Sequence, residues 1–271
     1  MPAMPPAQSA QATAEAPVRV AVVTDADASV PGALARETGL LVAPADAPLL
    51  EDRETLPRLK LEAGVQDAAP LLEIARAPIE AGTTLCYVPA GDGYGSPPDI
   101  EEALSASGVA VLPPGGALMA GGWTALAAAR AAAEGASLGD VRSAAEGAAK
   151  RAGCLVLLEY PELAGVTGGS PMAARWRALV RPRGEALSLV GGYNERPQAI
   201  GALLDATLDA CGGRDRLRVA VHHASAGAPG EALMRWAERE LAPEELVFAP
   251  ITRHAATRFG PRMLGLAWTS E

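Results

Sequence analysis

An apolar β-branched run that breaks into an acidic turn and then a helix start, Val18 to Pro31, constrains this chain more than any other stretch. Val18 to Val23 reads as a strand with no polar face. Continuous runs of this kind belong to parallel strands covered on both sides, so the stretch opens a βαβ unit. Ser29 is placed to N-cap the following helix. Pro31 falls in that helix's first turn, where a missing N–H costs nothing. Asp25 then stands at the carboxyl end of the strand, where open α/β sheets bind their ligands. A turn or capping aspartate accounts for the same residue without a ligand. Asp27 falls on the opposite face if the strand continues, which argues against a shared carboxylate dyad.

The pattern repeats through the first half of the chain. A helix from Val30 to Glu37 ends at Gly39, and Leu40 to Ala43 gives a second strand. A helix runs from Ala68 to Glu80 with Leu71, Leu72 and Ala75 on its core face. Thr83 to Val88 is a third strand, Asp99 to Ala106 a helix, and Val109 to Leu112 a fourth strand. Two Ala-rich helices follow, Gly122 to Glu134 and one opened by a Ser137/Asp140 capping box. The second half changes style. Strands are read at 154–159, 186–190, 217–221, 245–249 and 263–268. Helices are read at 197–211 and 229–241, and one carries Met172, Trp176 and Leu179 at helical spacing. The domains expected are a leader at 1–17, an N-terminal α/β/α unit at 18–148 and a C-terminal α+β unit at 149–271.

At 271 residues, 49% of them hydrophobic, the chain can bury a substantial core. Aromatics are 4%, so that core is built from Ala, Leu and Val. A net charge of −9 without basic blocks argues against nucleic acid and against an anionic membrane surface. Cys86, Cys154 and Cys211 are odd in number and lack metal-like spacing, which fits buried thiols in the reducing cytoplasm. Residues 1–17 have neither the basic end nor the apolar centre of a signal peptide. No run is apolar and long enough to span a bilayer.

Catalytic signatures are absent: there is no G-x-S-x-G, no HExxH and no His/Cys/Asp cluster with metal spacing, so no metal and no cofactor is implied. His222 and His223 point to opposite faces of one strand end, and a satisfied structural histidine is the commoner outcome there. After Val88 comes a glycine-rich loop, Pro89 to Pro98. Gly91, Gly93 and Gly95 free its backbone to present N–H groups to an anion, although an ordinary glycine turn fits equally. Arg253, Arg258 and Arg262 cluster near the C-terminal turn, and a guanidinium facing a pocket anchors carboxylate or phosphate.

Taken together, several features resemble the DegV family of bacterial fatty-acid-binding proteins. They are the strand–Asp–turn–Val-Pro helix, the glycine loop after Val88, Arg181-Pro182, Asn194 to Arg196 before a helix, and Gly260-Pro261 near the end. The resemblance runs from Val18 to nearly the last residue, mainly as order and spacing. It implies a two-domain α/β fold, with an N-terminal α/β/α parallel sheet and a C-terminal α/β layer with a mixed sheet. It implies a non-enzymatic carrier whose acyl chain lies in the C-terminal domain and whose carboxylate lies in the interdomain cleft. It also implies a fatty acid kinase as partner.

This chain departs from the family's pattern where that pattern holds a carboxylate. The opening Asp-Ser is Asp25-Ala26, and the Thr-Ser-x-Pro-Ser segment falls on Ala63 to Asp67 without hydroxyls. In the loop from Pro89 to Ser96 only Ser96 keeps a hydroxyl. The Gly-Gly-Arg becomes Gly168-Gly169-Ser170. In the C-terminal His-x-Gly-Pro-Gly, Arg258 stands for the histidine and Arg262 for the last glycine, with His254 four residues upstream of Arg258. The ligand-binding residues expected for a long-chain fatty acid or similar acid are therefore Arg258, Asp25, Ser96, His254 and the amides of Gly91, Gly93 and Gly95. Two alternatives stay open: a diverged regulatory relative that binds no lipid, and a small-molecule phosphotransferase component.

Overall fold

Alternating strands and helices in the first half, and antiparallel strands in the second, give two sheets sharing one layer of helices. The structure is a computed structural model, describing residues 19–44, 69–91, 98–166, 176–184, 186–211 and 215–270. The expected leader and the Ala63 to Asp67 segment lie outside these residues.

The first sheet is parallel, ordered β2-β1-β3-β4, from β1 (Val20–Thr24), β2 (Leu41–Val42), β3 (Thr84–Val88) and β4 (Ala110–Val111). Helices α2 (Ala69–Glu80) and α3 (Pro98–Ala106) cover one face. Leu71 and Ala75 of α2, and Ile100 and Leu104 of α3, are buried there with Val23, Leu85 and Tyr87. The opposite face lies on α4 (Met119–Ala133) and α5 (Leu138–Arg151), and α1 (Gly32–Thr38) packs on α4.

The second sheet is mixed, ordered β7-β6-β5-β10-β8-β9. Its strands are β5 (Gly153–Leu158), β6 (Arg177–Arg183), β7 (Ala186–Tyr193), β8 (Arg218–His223), β9 (Glu245–Pro250) and β10 (Leu264–Thr269). All its pairings are antiparallel except β8 with β9. Its outer face buries Leu155, Leu179, Val219, Leu266 and Trp268 together with Ala199 and Leu203 of α6 (Arg196–Cys211) and Leu233 of α7 (Gly227–Leu241). Its inner face carries smaller side chains. Cys154, Ala267 and Ala220 stand in one row across β5, β10 and β8. They join a core shared with Trp123 and Leu126 of α4, Val141 of α5 and Val22 and Cys86 of the first sheet. Apolar burial is thus continuous from one sheet to the other through α4 and α5.

Helix α4 approaches the β1 turn closely. A Cβ on Gly122 would come within 2.7 Å of the Ala28 carbonyl oxygen, a contact only glycine avoids. His222 fixes the same helix from the other side. Its Nδ1–H donates to the Ala249 carbonyl (2.9 Å), so its Nε2 is left to accept from the Met119 N–H (3.3 Å). A neutral histidine of the second sheet therefore satisfies one of the orphan amides at the start of α4. Burial pushes its pKa down to about 4. His223, on the other face, stacks on Phe248 and accepts from the Ala226 N–H. The expectation of satisfied structural histidines holds for this pair.

Two sequence expectations are corrected, and one helix is added. Ser29 does not cap α1. It has a left-handed backbone (φ 51°) closing a 3-10 turn at Ala26–Ala28, and the helix starts only after Pro31. The residue before a proline is steered away from helical geometry, so Val30 could not begin the helix. The helix expected at Trp176 and Leu179 is not formed: Leu179 lies in β6, paired antiparallel with β5. Finally, α8 (Arg253–Phe259) was not foreseen.

Candidate functional site

The end of β1, the start of the loop after β3 and helix α8 converge, and two aspartates organise the convergence. Asp25 caps the 3-10 turn that follows β1. Its Oδ1 accepts from the Asp27 N–H (3.0 Å). Its Oδ2 accepts from the Tyr87 hydroxyl (3.0 Å) and from the Ala90 N–H (2.8 Å). Asp25 thus ties β1 to the end of β3. Burial and the neighbouring Asp27 carboxylate push its pKa up to about 7, against the three hydrogen bonds that favour the charged form. Because the strand stops at Thr24, the 3-10 turn brings the two carboxylates close enough to repel. The expectation of opposite faces required a continuing strand.

Asp27 faces the other way, toward the C-terminal segment. It accepts hydrogen bonds from the Thr252 hydroxyl and from His254, whose Nδ1 carries the proton a carboxylate acceptor demands. Thr252 also N-caps α8, its hydroxyl accepting from the Ala255 N–H (3.0 Å). One short hydroxyl therefore starts the helix and attaches it to the first sheet.

Arg258 follows His254 by one helical turn, so both project from the same side of α8. Arg258 is 7% exposed. It donates to the Gly184 carbonyl in the β6–β7 turn, and its guanidinium lies 5.2 Å from the centre of the Phe259 ring. Gly91 is buried, with a φ of 107° that disfavours any side chain, and directly follows the Ala90 amide held by Asp25. Of the expected site residues, the structure thus gathers Asp25, Gly91 and His254 around this junction, with Arg258 one turn along α8. Gly93, Gly95 and Ser96 lie outside the described residues.

Tyr87 and Thr252 are absent from the sequence reading, and Asp27 enters it only as a possible dyad partner of Asp25, not as the acceptor of Thr252 and His254. Tyr87 read as a core strand residue, and its hydroxyl partner is 62 positions away. Thr252 carried a usable signal: Thr-x-x-Ala before Gly260-Pro261 is a capped short helix. Burial pushes the thiols of Cys86 and Cys154 up to about 12, which leaves both protonated and unreactive. Among the described residues no group of His, Cys, Asp and Glu could hold a metal, and no helix is long and apolar enough to cross a membrane.

The sequence matches no family model and no curated protein. Its structure does match solved ones. It superposes on DegV from Bacillus subtilis, described as a fatty acid binding protein, with a TM-score of 0.78 at 16% identity, covering 94% of this chain and 100% of that one. A DegV family protein from Corynebacterium glutamicum matches with a TM-score of 0.75 at 18% identity, over 93% and 97%. A stearic acid-binding protein from Eubacterium ventriosum matches with a TM-score of 0.74 at 13% identity, over 92% and 97%. The chain is a two-sheet α/β protein with a junction between its first strand and its last helix. More particularly, it has the DegV fold.

Proposed function

We propose that this protein carries a long-chain fatty acid or a similar amphipathic acid. Its two lobes divide near residue 148. The carboxylate lies at the junction of β1, the loop after β3 and α8. The acyl chain lies in the second lobe. The observation that carries this reading is the placement of His254 and Arg258 on one side of a helix pinned by Asp27 to the carboxyl end of β1. That is where α/β sheets receive ligands. The fatty acids bound by the matched proteins support it. Arg258 anchors the carboxylate in place of the missing hydroxyls, since a charge-assisted hydrogen bond outweighs a neutral one. His254, oriented by Asp27, and the Gly91 amide complete the site, and Asp25 holds the loop in register. The chain works in the cytoplasm, consistent with its three free, buried cysteines. It is not itself an enzyme, and it presents the carboxylate to a phosphotransfer partner such as a fatty acid kinase.

Competition against a fluorescent fatty acid tests this. Arg258→Ala should weaken palmitate binding by about 1.5–3 kcal/mol, tenfold or more. Arg258→Lys should recover part of the loss. Unchanged affinity in Arg258→Ala would remove that residue from the site. The absence of hydroxyls at Ala26 and at Ala63 to Asp67 favours a second reading, a regulatory relative without a lipid. Failure of the wild-type protein to bind any long-chain acid would select it.

A further inference from the structure

Four strands form the edges of the two sheets, and three of them are guarded against pairing with another chain. β2 and β4 are two residues long each. β9 begins on Glu245, which takes ion pairs from Arg130 (3.1 Å) and Arg218 (3.3 Å), and it ends on Pro250, which has no N–H to offer. The fourth, β7, has none of these devices. It runs for eight residues, Ala186–Tyr193, with no charge and no proline. It pairs with β6 along one side, and its other side meets no strand among the described residues. Such an edge is a row of unpaired N–H and C=O groups, a template for a further strand.

The strand is also built to stay extended. Its two glycines would weaken it, but each is covered by an aromatic ring. Tyr193 fills the space beside Gly191, and Trp176 lies where a Cβ on Gly192 would stand (2.7 Å). Between the Leu179–Gly191 and Val180–Leu189 pairs the ladder admits one extra residue, Val190. A bulge can turn an edge away from partners, yet this one sits beside bare apolar surface. Leu189 is 53% exposed and Val190 48%, the two highest values among the large hydrophobic residues described. They are neighbours at the middle of β7. Charges stand only beyond its ends. Arg183, paired with Ala186, is exposed at the turn end, and Glu195, past Tyr193, is exposed at the other. Neither has an ion-pair partner among the described residues, which do not include Glu185.

We propose that β7 is where two copies of this chain join, edge to edge and antiparallel about a two-fold axis. A two-fold contact needs a surface that complements itself, and an antiparallel strand edge does so. The axis passes near the middle of β7, so Leu189 and Val190 of one copy cover those of the other. The turn end of each strand then meets the far end of its partner, which brings Arg183 of one copy toward Glu195 of the other at both ends of the pair. A chain of net charge −9 repels its own copies. It associates through the stretch that carries no charge and is flanked by opposite signs. The proposal goes beyond the fatty-acid reading and does not rest on it.

Sedimentation velocity of the full chain, from low to high micromolar concentration, tests this. The wild type should pass from monomer to dimer, and amide exchange at 186–193 should slow as the dimer fills. Leu189→Lys removes apolar cover and sets like charges near the axis, so it should weaken the dimer roughly a hundredfold or more. Leu189 is exposed, so the thermal midpoint of the monomeric variant should match that of the wild type, and unfolding does not confound the result. Arg183→Glu and Glu195→Arg should each weaken the dimer about tenfold at low salt, and the double variant, which swaps the two charges, should restore it. A wild type that stays monomeric throughout has no such contact, and a dimer that survives Leu189→Lys uses another surface. Either result overturns the proposal, as does a charge swap that fails to restore the dimer.

Discussion

A single residue, Ala26, separates Asp25 from Asp27, yet the two serve different parts of the molecule. Asp25 closes its own lobe: each of its three donors, from Asp27, Tyr87 and Ala90, belongs to the first sheet or its loops. Asp27 crosses 225 positions to Thr252 and 227 to His254. The 3-10 turn between them splits the end of β1 into an inward and an outward carboxylate. A strand end that both builds its lobe and holds a distant helix makes the position of α8 depend on the geometry of β1. The fatty-acid site proposed at their junction inherits that dependence.

Substitution separates the two functions. Asp25→Ala should have the largest effect, about 3 kcal/mol of destabilisation by urea unfolding. It strands the Tyr87 hydroxyl and the Ala90 N–H in a buried place. Asp27→Ala should cost less, about 2 kcal/mol, because it also relieves the repulsion on Asp25. Its signature differs: amide exchange should quicken in 252–260 and stay unchanged at 87–91. Similar exchange patterns in both variants would show that the two carboxylates act as one unit.

Acid should sharpen the contrast further, because Asp25 and His222 titrate with opposite sign. The raised Asp25 pKa means that the native state holds a proton the unfolded chain releases. Its contribution is complete below about pH 3.8 and is lost as pH rises through about 7. The lowered His222 pKa means the reverse. Its contribution is present above about pH 6.5 and is lost as pH falls toward 4. From these two groups, stability should be nearly flat between pH 4 and 6.5. Asp25→Asn should uncover the histidine slope, a loss of about 3 kcal/mol on acidification across that window. A variant still flat there would remove His222 as the buried neutral cap of α4. The smallest effect expected is Tyr87→Phe, about 1 kcal/mol, with Asp25 losing one of its three donors.

Local pattern made much of this fold legible. Val20 to Thr24, Thr84 to Val88 and the Ser137 cap of α5 are specified by neighbouring residues, and they form where periodicity and capping place them. Trp176 and Leu179 misled because their spacing with Met172 imitates a helix. The stretch Arg177 to Arg183 has no clean period of its own, and it becomes a strand because β5 and β7 pair with it. Helix α8 is seven residues long with an apolar half, too short for periodicity, so only its caps Thr252 and Gly260 could announce it. Asp25 was legible as a strand-end carboxylate. The Asp27–His254 contact was not, because no local rule connects residues on opposite sides of the chain's length.

The central claim is that this junction and the second lobe together hold a long-chain acid. Native mass spectrometry of the purified full chain, followed by extraction and identification of what it carries, tests that most directly. The account predicts a mass increment matching one fatty acid per chain, released on denaturation and restored when palmitate is added back. A chain that flies empty, and stays empty after incubation with saturated and unsaturated long-chain acids, would contradict it and leave the DegV fold without that cargo.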